Sequence, residues 1–182
     1  MRSVSRWILA GVIAAAPLRA SAADLNEFFK GQDPQAPGCV VGVAQKDHPA
    51  AYAAYGSADL EHAAPNTLDT IMEAGSVAKQ FTATAILMLV EEGKIALTDD
   101  IRKYLPEMPD YGTPITVNHL LTHTSGLRDW GEVAALAGWP RSYVVRTNLE
   151  VLEIASRQTA LNYKPGDAYS YTNTGYNLAA FI

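Results

Sequence analysis

Two short motifs bring together residues with complementary chemistry. Ser76 and Lys79 form S-x-x-K, and Tyr171 and Asn173 form Y-x-N far downstream. A serine hydroxyl is a weak nucleophile at neutral pH and needs a neighbouring base, and positions i and i+3 meet on one face of a helix. The pattern therefore predicts acyl transfer, with Ser76 as the nucleophile and Lys79 within reach of its oxygen.

Each motif is short enough to arise by chance, so structural roles stand beside the catalytic ones. Lys79 could pair with an acid, and Tyr171 could be a core aromatic with a satisfied hydroxyl. The setting of Ser76 favours chemistry. A short extended piece, Thr70 to Ala74, leads through Gly75 into a helix, which places the Ser76 N–H at a helix N-terminus, where developing negative charge is stabilised.

The elements that must position these residues follow from the apolar pattern. A helix is predicted from Ser76 to about Glu92, ended by Gly93, and its side chains are apolar almost all round, which is typical of a helix buried inside a domain. Upstream, a short helix (Asp24 to Lys30) precedes two strands, Cys39 to Gln45 and Ala50 to Tyr55. Their hairpin-length connection predicts antiparallel pairing.

Helices dominate the rest of the chain. A short helix is predicted after Asp99-Asp100, two more are capped by Thr116 and Thr147, and an apolar helix starts near Gly175. Asp99-Asp100 is interpreted as a capping pair, because adjacent helical residues do not face each other as paired catalytic carboxylates would. Strands first and helices afterwards indicate an α+β fold. Two strands form a marginal sheet, so further strands are expected beyond Ile182.

Composition excludes several function classes. The chain has 182 residues, 48% of them hydrophobic and 18% charged, with a net charge of −5. An acidic chain without basic clusters argues against nucleic-acid binding. Residues 1–22 have the features of a signal peptide: Arg2 and Arg6, an apolar stretch, and Ala20-Ser21-Ala22 as the cleavage site. The expected mature domain is 23–182, exported to the periplasm or secreted, with no stable membrane span after cleavage.

Cysteine and histidine are two further residue types that can take part in catalysis or metal binding. The single cysteine, Cys39, cannot form an internal disulfide and is predicted to be a small buried side chain rather than a catalytic thiol. His119 and His123 are four apart and could hold a metal, but the metalloprotease pattern needs Glu where Leu120 stands. Neither a metal nor a cofactor is expected.

A longer series of segments resembles the serine β-lactamase-like and penicillin-binding hydrolases, in particular the branch with class C β-lactamases, D-Ala-D-Ala carboxypeptidases and related esterases. The resemblance covers nearly all of the expected mature chain. Its segments are Pro37-Gly38, Gly75–Thr82, Glu92–Asp100, Tyr104–Pro106, Ile115–Leu127, Pro165-Gly166 and Tyr169–Tyr176.

The resemblance implies a role for each motif residue. Ser76 would attack an amide, lactam or ester carbonyl, Lys79 would act as base, Tyr171 would relay the proton to the leaving group, and Asn173 would hold the substrate and orient Lys79. It also implies a β-lactamase/transpeptidase-like fold, an antiparallel sheet packed with helices. The family's third motif, Lys/His-Thr/Ser-Gly, is expected C-terminal of Asn173. The similar-looking 123–126 precedes Tyr171 and is interpreted as a helix-ending structural motif.

The leading hypothesis is an exported serine hydrolase acting through an acyl-Ser76 intermediate on a small-molecule or peptide substrate. A catalytically silent truncated fragment and a penicillin-binding sensor that acylates without turnover are the alternatives. The substrate stays open among a β-lactam, a D-Ala-D-Ala peptide and an ester.

Overall fold

The computed structural model describes residues 22–140 and 145–182. The predicted signal peptide lies outside the described residues except for Ala22. The chain divides into two compact units, residues 1–73 and 74–182, which are described separately.

The described part of the first unit, residues 22–73, contains one helix and two small antiparallel sheets. Helix α1 spans Ala22–Phe28. Strands β1 (Cys39–Val43) and β2 (Ala51–Tyr55) pair antiparallel, and β3 (Ser57–Asp59) pairs with β4 (Ala64–Pro65). The hairpin prediction is confirmed, with each strand slightly shorter than expected. The β3–β4 pair was not predicted, because strands of two or three residues carry too little pattern to recognise.

Cys39 corrects one prediction. It was expected to be buried, but its side chain is exposed. The residue is the first of β1, which pairs with β2 alone, and the burial along β1 shows that its side chain falls on an uncovered position.

The second unit is helical. After a 3₁₀ turn (Gly75–Ala78), the α-helices are α2 (Lys79–Glu91), α3 (Val117–Leu121), α4 (Trp130–Leu136), α5 (Asn148–Ser156) and α6 (Asn173–Ala179), and a second 3₁₀ turn spans Ile101–Lys103. Residues 70–74 are coil rather than the extended strand piece that was expected. Helices with small antiparallel sheets confirm the α+β class.

The helix caps follow the sequence closely. Thr116 and Thr147 each form a capping box at the start of α3 and α5, as predicted. Asp100 accepts a hydrogen bond from the Arg102 N–H at the second 3₁₀ turn, which agrees with a capping role. Helix α2 ends in a Schellman arrangement, in which the Lys94 N–H donates to the Leu89 carbonyl and the Gly93 N–H to that of Val90.

The main core of this unit lies where α3, α5 and α6 meet the segment 101–115. It comprises Ile101, Leu105, Met108, Ile115, Leu120, Leu127, Leu152, Ala155, Leu178 and Ala179. This core fixes α6, which carries Asn173, against α3. A smaller cluster of Ile86, Ile95 and Val117 lies beneath α2.

Helix α2 is less buried than its composition predicted. Ile86 is its one fully buried residue, whereas Phe81 is 69% exposed and Met88 57% exposed. Among the described residues of this unit, α2 packs against α6 and the small cluster, and apolar side chains outside these contacts are exposed.

Among the residues that the structure describes, no helix combines the length and the apolar character that crossing a bilayer requires.

Candidate active site

Ser76 lies in the 3₁₀ turn that leads into α2. Gly75, directly before it, has a φ of +52°, a left-handed conformation that costs other residues about 1–2 kcal/mol. This glycine turns the chain so that Ser76 is the second residue of the helical segment. The first N–H groups of such a segment lack intrahelical partners and are available to an anion.

Lys79 is the first residue of α2 and connects the two motifs. Its Nζ donates a 3.1 Å hydrogen bond to Ser76 Oγ and a 2.9 Å hydrogen bond to Asn173 Oδ1. The same amine lies 4.9 Å from the ring centre of Tyr171 and 5.7 Å from that of Tyr176. The i to i+3 spacing inferred from the sequence therefore produces the expected contact.

Tyr171 approaches Ser76 from the other side. Its Oη lies 2.6 Å from Ser76 Oγ, a short hydrogen bond for two hydroxyls. Hydrogen bonding from Lys79, followed by that from Ser76, lowers the pKa of the Tyr171 phenol below its usual 10.0. Both groups that could take the Ser76 proton are thus in contact with its oxygen.

Helix α6 begins within the Y-x-N motif. Thr172 is the N-cap, and its side chain accepts a hydrogen bond from the Thr174 N–H. The helix begins at Asn173, two residues earlier than the predicted start at Gly175, because Thr172 provides the cap. The motif's tyrosine therefore precedes the helix and its asparagine is the first helical residue.

A carboxylate that the sequence analysis missed lies behind Asn173. Asp129 Oδ2 accepts hydrogen bonds from the Asn173 backbone N–H (2.7 Å) and from its Nδ2 (3.1 Å). Asp129 is also the N-cap of α4, a helix that was not predicted. An Asp before the apolar pattern Trp130 to Leu136 was a usable helix signal, but nothing local connects it with a residue 44 positions away.

The two histidines take roles other than joint metal binding. His119 completes the capping box of α3, where its Nδ1 accepts the Thr116 N–H. His123 lies 4.4 Å from the Tyr171 ring between centroids, and its Nδ1 accepts the Thr172 N–H. Burial first, then the charge of Lys79, lowers the pKa of the His123 imidazole. Across residues 22–140 and 145–182, no group of three or more His, Cys, Asp or Glu side chains is arranged to hold a metal ion.

A cavity of about 380 Å³ opens beside the two downstream motif residues. It is lined by Asp129, Gly131, Glu132, Ala135, Tyr171 and Asn173. A substrate group placed there would contact the Y-x-N side chains next to the Ser76 hydroxyl. The arrangement thus offers a nucleophile, two proton acceptors and a space for an acyl substrate.

The chain is similar in sequence to a described protein family and to characterised relatives. The family model described as Beta-lactamase matches residues 25–182. The chain is 33% identical over 149 residues to a D-aminopeptidase of Brucella anthropi, covering 82% of this chain and 28% of the relative. It is 35% identical over 134 residues to Esterase EstB of Burkholderia gladioli, covering 65% of this chain and 33% of the relative.

Solved structures share the fold. The crystal structure of a penicillin binding protein from Bacillus halodurans matches with a TM-score of 0.65 and 26% identity, covering 90% of this chain and 48% of that one. The β-lactamase/penicillin-binding-like fold is therefore confirmed. The chain spans about a third of the length of the curated relatives it matches.

Proposed function

We propose, on the premise that the chain belongs to the Beta-lactamase family, that it supplies the nucleophile and the proton-transfer residues of a serine hydrolase. One observation carries this proposal: Ser76 Oγ is hydrogen-bonded to both Lys79 Nζ and Tyr171 Oη. The relatives include a D-aminopeptidase and an esterase, which supports hydrolysis of an acyl bond as the reaction class.

In the proposed first step, Ser76 Oγ attacks a substrate carbonyl carbon and forms an ester bond to the acyl group. The Ser76 proton passes to the Lys79–Tyr171 pair and then from Tyr171 to the leaving amine or alcohol as its bond to the acyl carbon breaks. The Ser76 N–H at the start of the helical segment stabilises the negative charge that develops on the carbonyl oxygen.

In the second step, water attacks the acyl-Ser76 ester. Its proton goes to the same Lys79–Tyr171 pair, and the Ser76 oxygen recovers a proton as the acid product leaves. Asn173 accepts a hydrogen bond from Lys79 and holds the amine beside Ser76 throughout. The substrate class comprises amides, lactams and esters, and the D-aminopeptidase and esterase relatives support testing peptide and ester substrates in parallel.

Labelling of the natural full-length protein with a fluorescent penicillin or a fluorophosphonate tests the assignment. The wild type should form a covalent adduct that peptide mass spectrometry locates on Ser76, and Ser76→Ala should form none. Ser156→Ala, which removes a serine from the end of α5, is the matched control and should label normally. Equal labelling of wild type and Ser76→Ala would reject the proposal, and labelling without turnover would identify a penicillin-binding sensor.

Export is a separate proposal that rests on residues 1–22. Their charged start, apolar stretch and Ala20-Ser21-Ala22 site support removal of a signal peptide. The intact mass of the protein from its natural source should correspond to an N-terminus near Ala23. A mass that includes Met1 would contradict cleavage.

A further inference from the structure

We propose that Asp129 is a positioning residue of this site, which orients the side-chain amide of Asn173 so that its oxygen faces Lys79. The inference rests on the proposed function, because the value of this orientation lies in holding Lys79 beside Ser76. Asp129 belongs to neither sequence motif and makes no hydrogen bond to Ser76 or Lys79, so its hydrogen-bonding route to Lys79 is through Asn173. Its charge also acts on Tyr171, where it opposes the lowering of the phenol pKa by Lys79.

The contacts of Asp129 define the arrangement. Its Oδ1 accepts the Gly131 N–H at 2.8 Å, as an N-cap does. Its Oδ2 accepts hydrogen bonds from the backbone N–H and the side-chain Nδ2 of Asn173. The Thr172 hydroxyl donates a longer hydrogen bond of 3.5 Å to the same oxygen. One oxygen therefore caps α4, and the other accepts hydrogen bonds from the first residue of α6.

Amide chemistry then determines which way Asn173 points. An ionised carboxylate accepts hydrogen bonds and cannot donate them, whereas a primary amide has a donating nitrogen and an accepting oxygen. Asn173 Nδ2 must face Asp129, which leaves Oδ1 to accept from Lys79 Nζ at 2.9 Å. The reversed amide would place its oxygen against the Asp129 carboxylate, where neither group can donate, and the hydrogen bond between the two side chains would be lost.

The backbone keeps Asp129 at this distance. On either side of it, Arg128 and Trp130 are tied to Thr174: the Thr174 hydroxyl donates to the Arg128 carbonyl at 2.7 Å and accepts the Trp130 N–H at 2.8 Å. Thr174 is almost completely buried, at 1% exposure. The segment 128–130 and the first turn of α6 are thus joined by four hydrogen bonds around the Asp129–Asn173 pair.

Two substitutions separate this role from capping. Asp129→Asn preserves the shape, and its amide oxygen can still accept from Asn173 while its nitrogen faces the Gly131 N–H, so it weakens the cap of α4 and leaves Asn173 oriented. Asp129→Ser keeps a favourable N-cap for α4 but is too short to hold Asn173. Only Asp129→Ser should therefore leave Asn173 free to reorient, whereas Asp129→Asn measures the effect of the weakened cap and the lost charge.

The decisive experiment is a double-mutant cycle in the natural full-length protein, with the acylation rate by a fluorescent penicillin as the readout. Asp129→Ser should reduce the acylation rate constant by about 10- to 100-fold and Asp129→Asn by much less, with a smaller effect on initial binding of the penicillin. In an Asn173→Ala background Asp129→Ser should cause no further loss. Asp100→Asn, at another N-cap, is the control and should change the rate by the same small factor in both backgrounds. A loss at Asp129 that is equal with and without Asn173 would overturn the proposal.

A second readout needs no activity. The side-chain amide NMR signal of Asn173, assigned by its disappearance in Asn173→Ala, should shift in Asp129→Ser. An unchanged signal would overturn the orienting contact. If the signal shifts but wild-type Ser76 takes up no penicillin or fluorophosphonate, the proposed function fails while the orientation of Asn173 by Asp129 stands.

Discussion

Ser76 Oγ and Tyr171 Oη lie 2.6 Å apart, although 95 positions separate the two residues in the chain. No local element brings them together. The contact depends on the packing of α6 against α2 and α3, which places the residue before the α6 cap next to the turn that begins α2. Changes at this pair therefore test the chemistry and the packing at once, and matched variants are needed to separate them.

Removing the Tyr171 hydroxyl should impair acylation. Tyr171→Phe keeps the ring against His123 but removes the hydroxyl to which we assign proton transfer. Proton-transfer groups typically contribute 10²- to 10⁴-fold, so we expect a loss of about 10²-fold or more. The measurement is the rate of adduct formation with a fluorescent penicillin. Tyr169→Phe removes an exposed hydroxyl two residues away and should react at the wild-type rate. Equal rates for Tyr171→Phe and wild type would exclude Tyr171 from proton transfer.

The Tyr171 phenol should ionise before that of Tyr176. Lys79, then Ser76, lowers the pKa of Tyr171, whereas burial raises the pKa of Tyr176. NMR titration with ¹³C-labelled tyrosine should show the Tyr171 signal moving at the lower pH of the two. Because Lys79 is the main cause, Lys79→Met should move the Tyr171 titration to higher pH. The reverse order, or no response to Lys79→Met, would contradict this account.

His119 should make the protein less stable in mild acid. Burial lowers the pKa of its imidazole below 6.5, and its Nδ1 must stay unprotonated to accept the Thr116 N–H. As the pH falls below about 6.5, the unfolded chain binds this proton first, so the free energy of unfolding falls until the pH passes the lower folded-state pKa.

His119→Gln isolates that contribution, because Gln can replace His in the capping box without titrating. Denaturant unfolding at pH 8 and pH 5 should show a smaller difference for His119→Gln than for the wild type. His48→Gln, which removes an imidazole from an exposed loop, serves as the control. The same pH dependence in His119→Gln and wild type would refute the prediction.

Gly126 should tolerate no side chain. Its φ is +75°, and an added Cβ would lie 2.1 Å from the Tyr163 carbonyl oxygen. Gly112 has a similar φ of +72° but open space around the same position, so it isolates the backbone cost. Gly112→Ala should lower the free energy of unfolding by about 1–2 kcal/mol and Gly126→Ala by about 2–5 kcal/mol. Denaturant unfolding checks both values, and equal losses would show that the close approach of Tyr163 is unimportant.

Local signals account for what the sequence could predict. Thr116, Thr147 and Gly93 mark helix ends by hydrogen bonding within a few residues, and the structure places those ends where they were expected. The contact between Ser76 and Lys79 follows from helical periodicity alone. Tyr171 and Asn173 also depend on tertiary contacts, and the family resemblance supplied their roles. Asp129 and the contact of His123 have no such motif and were missed: Asp129 acts on a helix 44 positions later, and His123 lies 4.4 Å from the ring of a tyrosine brought to it by α6.

Because Thr172 is the N-cap of α6, few residue types suit the middle position of the Y-x-N motif. The notation leaves that position open, yet here the residue must be extended, precede the first helical residue and supply an oxygen to the Thr174 N–H. Only Ser, Thr, Asn and Asp do this well. A library randomised at Thr172 and selected for folded, reactive protein should return mainly these four residues, so the variable position of the motif carries its own sequence information.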